Sequence, residues 1–433
     1  MVAVACILGA CILCAGCIAP GGDPAEPVSP TPIPSITPAT GPSETPAGQT
    51  GGVVAGNTRF ACDLYHALDN TSPSAGENIF FSPFSISTAL AITYEGAEGA
   101  TADEIRSVCS FPEDDGVRQN GFNTLISGLN SPDAAYTLRT ANALWAEKTY
   151  PFLPAYIGTA EEWYGAEVRN MDFIGAPETS RQTINRWVED QTEDRITDII
   201  PQGLITSLTR LVITNAVYFK GDWVLPFNAD DTIPAKFRTD GGTSVSVDMM
   251  QRIDSDARFS YGETDNLQFL RMPYERESGH PLSMLVFLPK GDDIAAAENA
   301  LGTDALAGAV ATMQTRQVKV FFPKFTFETT YSLTDTLRKM GMPLAFSTGA
   351  DFSGMDGTGD LFISDVIHKA FVAVDEEGTE AAAATAVVMG GCAAPMPEEE
   401  VPVFRADHPF VFLIEDGETG TVLFMGRVAD PTA

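Results

Sequence analysis

Residues 375–397 read DEEGTEAAAATAVVMGGCAAPMP. Four Ala run through 381–384 after a pair of Glu, so local propensity favours a helix. At a period of two the stretch looks different. Thr379, Ala381, Ala383, Thr385, Val387 and Met389 form one set without any charge. Glu380, Ala382, Ala384, Ala386 and Val388 form the other, and Glu380 is its single charge. Such a segment can enter a sheet as a strand with one buried face, and its small side chains would pass between existing strands at little steric cost. A surface helix, a loop and an entering strand all stand at this point.

Working outward, the flanks are rich in strands. Thr209–Phe219 (TRLVITNAVYF) is apolar enough for a strand buried on both faces. Ser283–Leu288 is a second, closed by Pro289-Lys290-Gly291-Asp292. Gln317–Phe322 and Phe325–Glu328 read as a third, broken at Pro323. Val411–Ile414 and Val422–Gly426 flank Glu415-Asp416-Gly417-Glu418 as a hairpin. Upstream, helical spacing predicts helices over Asn57–Leu68, Ser85–Glu95 and Arg181–Gln191, with a short strand at Asn78–Ser82 stopped by Pro83. Helices dominate the first half and strands the second, which predicts one large α+β domain.

The N-terminus is different in kind. Residues 1–19 are almost wholly apolar or small and end at Pro20-Gly21-Gly22, as an export signal does. No Lys or Arg precedes Arg59, so the positive start of such a signal is missing. Leu13-Cys14-Ala15-Gly16-Cys17 resembles a lipobox, with Cys17 as the lipidated residue and Cys14 out of pattern. A plain cleaved signal and an uncleaved anchor helix are the other readings. Residues 20–53 are rich in Pro, Thr and Ser and read as a semi-rigid tether to a single domain over 54–433. Location outside the cytoplasm follows, as a surface lipoprotein or a secreted protein.

Composition narrows the partners. Lys plus Arg is 26 against 58 Asp plus Glu, a formal charge of −32. That excludes nucleic acid and an anionic membrane surface as partners, so contact with a membrane would run only through the N-terminal lipid or signal segment. With four His, a His-rich metal site is not expected, and no cofactor or metal is read from the chain. Gly-x-Ser-x-Gly, His-Glu-x-x-His and phosphate-binding Gly loops are absent, so no enzyme is read. The acidic stretch Asp351–Asp360 has the wrong spacing for calcium. Cys62 and Cys109 sit among apolar helical neighbours and are expected as buried free thiols.

Several stretches then fall in one order: NIFFSPFSISTAL (78–90), TNAVYFKGDWVLPF (214–227), FFPKFTFETTYSL (321–333), GADFSGM (349–355), VIHKAFVAVDEEGTEAAAATA (366–386), FRADHPFVFLI (404–414) and LFMGRVADP (423–431). On these, residues 55–432 resemble a serpin. The resemblance implies an α+β fold of three β-sheets with eight to nine helices and an exposed reactive-centre loop, here about 376–397. It implies a monomeric suicide inhibitor: a serine protease cuts the loop, forms an acyl-enzyme and is trapped as the cut loop inserts into the main sheet. A cysteine protease is a further target class in the family.

The resemblance also assigns roles. Glu376, Glu377, Gly378 and Thr379, with Ala381, Ala382, Ala383 and Ala384, match the hinge where insertion begins. Ser82, Ser85, Asn215 and His368 match a polar cluster beneath the sheet where strands part. Trp223 and Lys324 match positions at the top of the sheet, Lys324 pairing with Glu376. The usual loop length from Gly378 puts the scissile bond at Cys392–Ala393, with Met389 as the alternative reactive residue. Cys behaves as a small, weakly polar side chain and suits an elastase-like or subtilisin-like pocket; Met389 would suit a chymotrypsin-like one. A non-inhibitory serpin acting as a carrier or binding protein is the rival function.

Overall fold

A computed structural model describes residues 46–71, 77–130, 136–291, 293–379 and 400–433. Cys17, Ala381 to Ala384, Met389, Cys392 and Ala393 lie outside the described residues. So does all of the tether up to residue 45.

The α+β expectation holds: three sheets of six, seven and four strands pack with ten α-helices among the described residues. The resemblance implied eight or nine helices; Ala295–Glu298 and Ser353–Asp356 are single-turn additions. The first helix, Pro46–Thr71, begins inside the expected tether. Thr50 and Val53 are buried there, so packing overrides a composition that reads as linker. The expected third strand is two strands. Lys319–Pro323 belongs to the four-stranded sheet and Phe325–Ser332 to the six-stranded one, so Pro323 marks a change of sheet. The hairpin stands as Phe410–Asp416 paired antiparallel with Val422–Val428.

The six-stranded sheet carries the site. Its order is Phe325–Ser332, Ile363–Val374, Gly378–Thr379, Leu211–Asp222, Thr137–Glu147, Glu167–Met171. Leu211–Asp222 is buried along nearly its whole length. One face meets a large core, with Leu211, Ile213, Val217 and Phe219 turned to it. The other face, with Val212 and Ala216, meets a smaller core of Ile184, Val188, Ile196, Ile199 and Ile200. Two-faced burial is why its sequence lacks polar alternation.

Beneath the sheet runs the helix Pro83–Tyr94. Ser82 caps it by accepting the Ser85 N–H, and Pro83 supplies a preset first turn. Residues 83–93 are all buried, so this helix has no polar face to give to solvent. That places Ser82 and Ser85 under the sheet, where their hydroxyls must find protein partners.

Candidate functional site

The site is the seam between Leu211–Asp222 and Ile363–Val374. These two strands pair directly and in parallel from Ile363↔Leu211 to Phe371↔Tyr218. Above that rung they part, and Gly378–Thr379 lies between them. Thr379 pairs with Val374 on one side and Gly221 on the other; Gly378 pairs with Asp222. Both of these pairings are antiparallel.

A tight turn delivers the wedge. The Asp375 carboxylate accepts the N–H groups of Glu377 (3.0 Å) and Gly378 (3.3 Å), and Asp375 N–H donates to the Gly378 carbonyl (2.9 Å). The Asp-x-x-Gly spacing is the turn signal, and sequence reading passed over it. The carbonyls of Asp375, Glu376 and Glu377 accept from Trp223 Nε1 (3.1 Å), Phe227 N (2.7 Å) and Trp223 N (2.7 Å). Trp223 thus holds the turn from two directions. A Cβ on Gly378 would sit 2.1 Å from the Gly221 carbonyl oxygen, so only glycine fits at this rung.

Thr379 is 1% exposed, and its hydroxyl meets the Tyr274 hydroxyl at 2.8 Å. Tyr274 stacks on Trp223 with centroids 4.5 Å apart. Tyr274 was not anticipated; its contact with Thr379 spans 105 residues and leaves no local trace. Glu376 accepts from Lys324 Nζ and from the Thr232 hydroxyl, both at 2.7 Å. Burial alone would raise the Glu376 pKa, but these two donors outweigh it and hold the carboxyl below its ordinary range.

Midway down the seam lies the second constellation. His368 Nε2 accepts the Ser82 N–H at 3.1 Å, so the proton sits on Nδ1 and donates to Asn215 Oδ1. Asn215 Nδ2 donates to Ser85 Oγ (2.6 Å) and to Asn142 Oδ1. Ser85 Oγ also donates to Asn142 Oδ1 (3.0 Å), and Ser82 Oγ donates to the Leu423 carbonyl (2.6 Å). The structure brings all four expected residues together and adds Asn142. His368 and Asn215 are register partners across the seam, and Asn142 is the register partner of Asn215 on the next strand. Complete burial lowers the His368 pKa to about 3, against an opposing contribution from Asn215, so the ring is neutral.

These groups offer no nucleophile with a base. The arrangement is one of strands already parted at one end and stitched by hydrogen bonds below. A family model described as serpin (serine protease inhibitor) matches residues 55–431.

The chain belongs to the serpin family.

Its relatives include an uncharacterised serpin-like protein of Thermococcus kodakarensis, 46% identical over 385 residues, covering 89% of this chain and 87% of that one. The leukocyte elastase inhibitor of Bos taurus is 41% identical over 391 residues, covering 87% of this serpin and 99% of the bovine protein. Human thyroxine-binding globulin complexed with thyroxine aligns with a TM-score of 0.79 at 31% identity, covering 90% of this serpin and 100% of that chain. Uncleaved ovalbumin aligns with a TM-score of 0.77 at 30% identity, covering 88% and 100%.

The described cysteines of this serpin are as expected. Cys62 and Cys109 are buried and free, and burial pushes the Cys62 thiol up to about 11. Neither is a nucleophile at neutral pH.

Proposed function

We propose that the chain is a suicide inhibitor of serine proteases of the elastase, subtilisin or chymotrypsin type. A protease attacks the Cys392–Ala393 bond and is held as an acyl-enzyme while the cut loop inserts into the six-stranded sheet; Met389 is the alternative point of attack. One observation carries the reading. Gly378 and Thr379 already make sheet rungs between the two strands that an inserting loop would separate. The next residues along the chain, in alternation with Thr379, are the uncharged set that such a strand would bury. An inserted stretch of 12 residues would form a strand of roughly 40 Å at ~3.3 Å per residue. That length moves a tethered protease from one end of the sheet to the other.

The domain is read as held outside the cytoplasm, by a lipid on Cys17 or as a secreted protein. The tether gives it reach from the anchor.

The test is an SDS gel of residues 46–433 mixed with subtilisin, elastase, chymotrypsin and trypsin in turn. A denaturant-resistant band at the summed mass is expected with at least one of the first three and not with trypsin. Mass spectrometry of the released C-terminal peptide is expected to find Ala393 at its start; any other start moves the reactive bond. Clean cutting by every protease without a band sinks the inhibitor reading. The thyroxine-bound globulin among its structural relatives supports the carrier alternative. A carrier is expected to gain little heat stability after loop cleavage, whereas an inhibitor gains much.

A further inference from the structure

Gly378 stands opposite Asp222 and Thr379 opposite Gly221 in an antiparallel ladder. One number falls as the other rises. Carried one rung further under the insertion reading, the ladder sets Glu380 opposite Lys220. On the other side Thr379 stands opposite Val374, so the same rung would bring Glu380 beside Ala373. Residues directly opposite in such a ladder share a face, with Cβ atoms about 4.5–5.5 Å apart.

That face is the outer one. Thr379 turns inward to Tyr274, and Val217 and Phe219 turn into the large core. Side chains alternate along a strand, so Lys220 and Asp222 stand on the opposite face, Lys220 half-buried and Asp222 exposed. Lys220 makes no ion pair and no side-chain hydrogen bond among the described residues. With 58 Asp and Glu against 26 Lys and Arg, a lysine without a carboxylate partner needs a reason. Its surroundings are anionic. Loss of water, then the charges of Asp375, Asp222 and Glu376, raise the Glu377 pKa, and Lys220 opposes them.

The entering stretch supplies the other half. Glu380 is the single charge in residues 379–397. Ala381 to Ala384 are four identical side chains, so nothing in them resists a slip of register through a bulge beyond Thr379. A slip of two residues toward the hinge would carry Glu380 from Lys220 to Asp222, where like charges repel. A slip of one would turn Glu380 inward to the Tyr274 side, where a carboxylate loses its water.

We infer that Lys220 receives the Glu380 carboxylate as the loop enters the sheet, and that this pair, with Asp222 one step nearer the hinge, fixes the register of the alanine run behind it. Lys220 is a positioning residue in this role, and the inference rests on the insertion reading above.

The test uses the uncut full chain and labelled, acetylated peptides, with uptake followed on native gels, so no protease enters the measurement. The first peptide, EAAAATAVVMGG, copies residues 380–391. It begins one rung beyond Thr379, so the hinge keeps its place and blocks a slip toward itself. The second carries Gln for Glu380. The third, AAEAATAVVMGG, has the composition of the first with the Glu moved two places. The parent is expected to take up the first about two- to fivefold faster than either of the others, the range of one cross-strand ion pair. Lys220→Met is expected to take up the first and second at equal rates. Lys220→Glu is expected to reverse the order, so that a peptide with Lys for Glu380 enters faster than the first; general loosening of the fold cannot produce a reversal. If neither variant folds, the three peptides compared on the parent decide by themselves. Equal uptake of the three by the parent, or the parental order in Lys220→Glu, overturns the role of Lys220 and leaves insertion standing. Absence of uptake of every peptide by the parent and both variants overturns the insertion reading and the role of Lys220 with it.

Discussion

The two ends of the seam are built from different chemistry. At the hinge end, the strands are separated by a glycine and a threonine, and the contacts there are backbone rungs, one pair of hydroxyls and a partly exposed ion pair. Half-way down, the same two strands meet directly and are stitched through His368, Asn215, Ser82, Ser85 and Asn142, four of them nearly inaccessible to water. The first region already holds two residues between the parted strands. Under the proposed insertion, the second would admit a strand only by breaking a buried polar network, whose members would then need new partners. The barrier under that insertion would sit at the second region, with entry prepared at the first.

The comparison breaks most sharply at Thr379. Thr379→Arg puts a charge where the structure offers only the Tyr274 hydroxyl, at a cost of at least about 3 kcal/mol. The chain is expected to become a substrate, with cleavage on the SDS gel and no resistant band. A band of parental intensity would show that the hinge end plays no part in entry.

The mid-seam prediction is a pH effect. The folded His368 pKa lies near 3, below its ordinary value of 6.5. The unfolded state therefore binds more protons between these values, and stability falls as pH drops through that window. The loss is about 2 kcal/mol between pH 6.5 and pH 5. Urea midpoints across this range are expected to show the slope in the parent and to lose it in His368→Gln. An equal slope in both would place the titration elsewhere.

Tyr274→Phe sharpens the comparison on the hinge side. It removes one hydroxyl contact and is expected to cost about 1 kcal/mol. Hydrogen exchange at the Thr379 amide reads it; unchanged protection would make the contact incidental. The smallest effect is at Lys324, whose side chain is about one-third exposed beside Glu376. Lys324→Ala is expected to shift the urea midpoint by less than about 1 kcal/mol at neutral pH. A larger loss would mean that the Glu376 carboxylate depends on Lys324 for its burial.

How far the sequence announced all this differs between the same two regions. At Gly378 and Thr379 the residues alone left helix, loop and entering strand open: an uncharged alternating set was legible, because size and charge are local properties, while the role of hinge came from the resemblance. The mid-seam cluster was legible only through family resemblance. One His and one Asn in apolar strands carry no spacing that relates them, since their meeting depends on register between strands about 150 residues apart. Asn142, in a strand of ordinary alternation, gave no signal for the same reason. Long-range packing also explains the errors. Burial of Thr50 and Val53 turned linker-like residues into helix, and Pro323 divided one apolar run between two sheets.

Strand direction has a consequence for bookkeeping in the cell. The seam is a parallel pairing, while Gly378 and Thr379 run antiparallel to both neighbours. Each further residue inserted under the proposed mechanism would exchange part of one slanted ladder for two of the better-aligned kind. Under that mechanism the exchange would run downhill in one direction, and a spent molecule would have no route back to its starting form. A protein of that kind would have no turnover number. Its capacity would be its copy number, and the cell that makes it would set inhibition by how many molecules it builds rather than by how fast each one works.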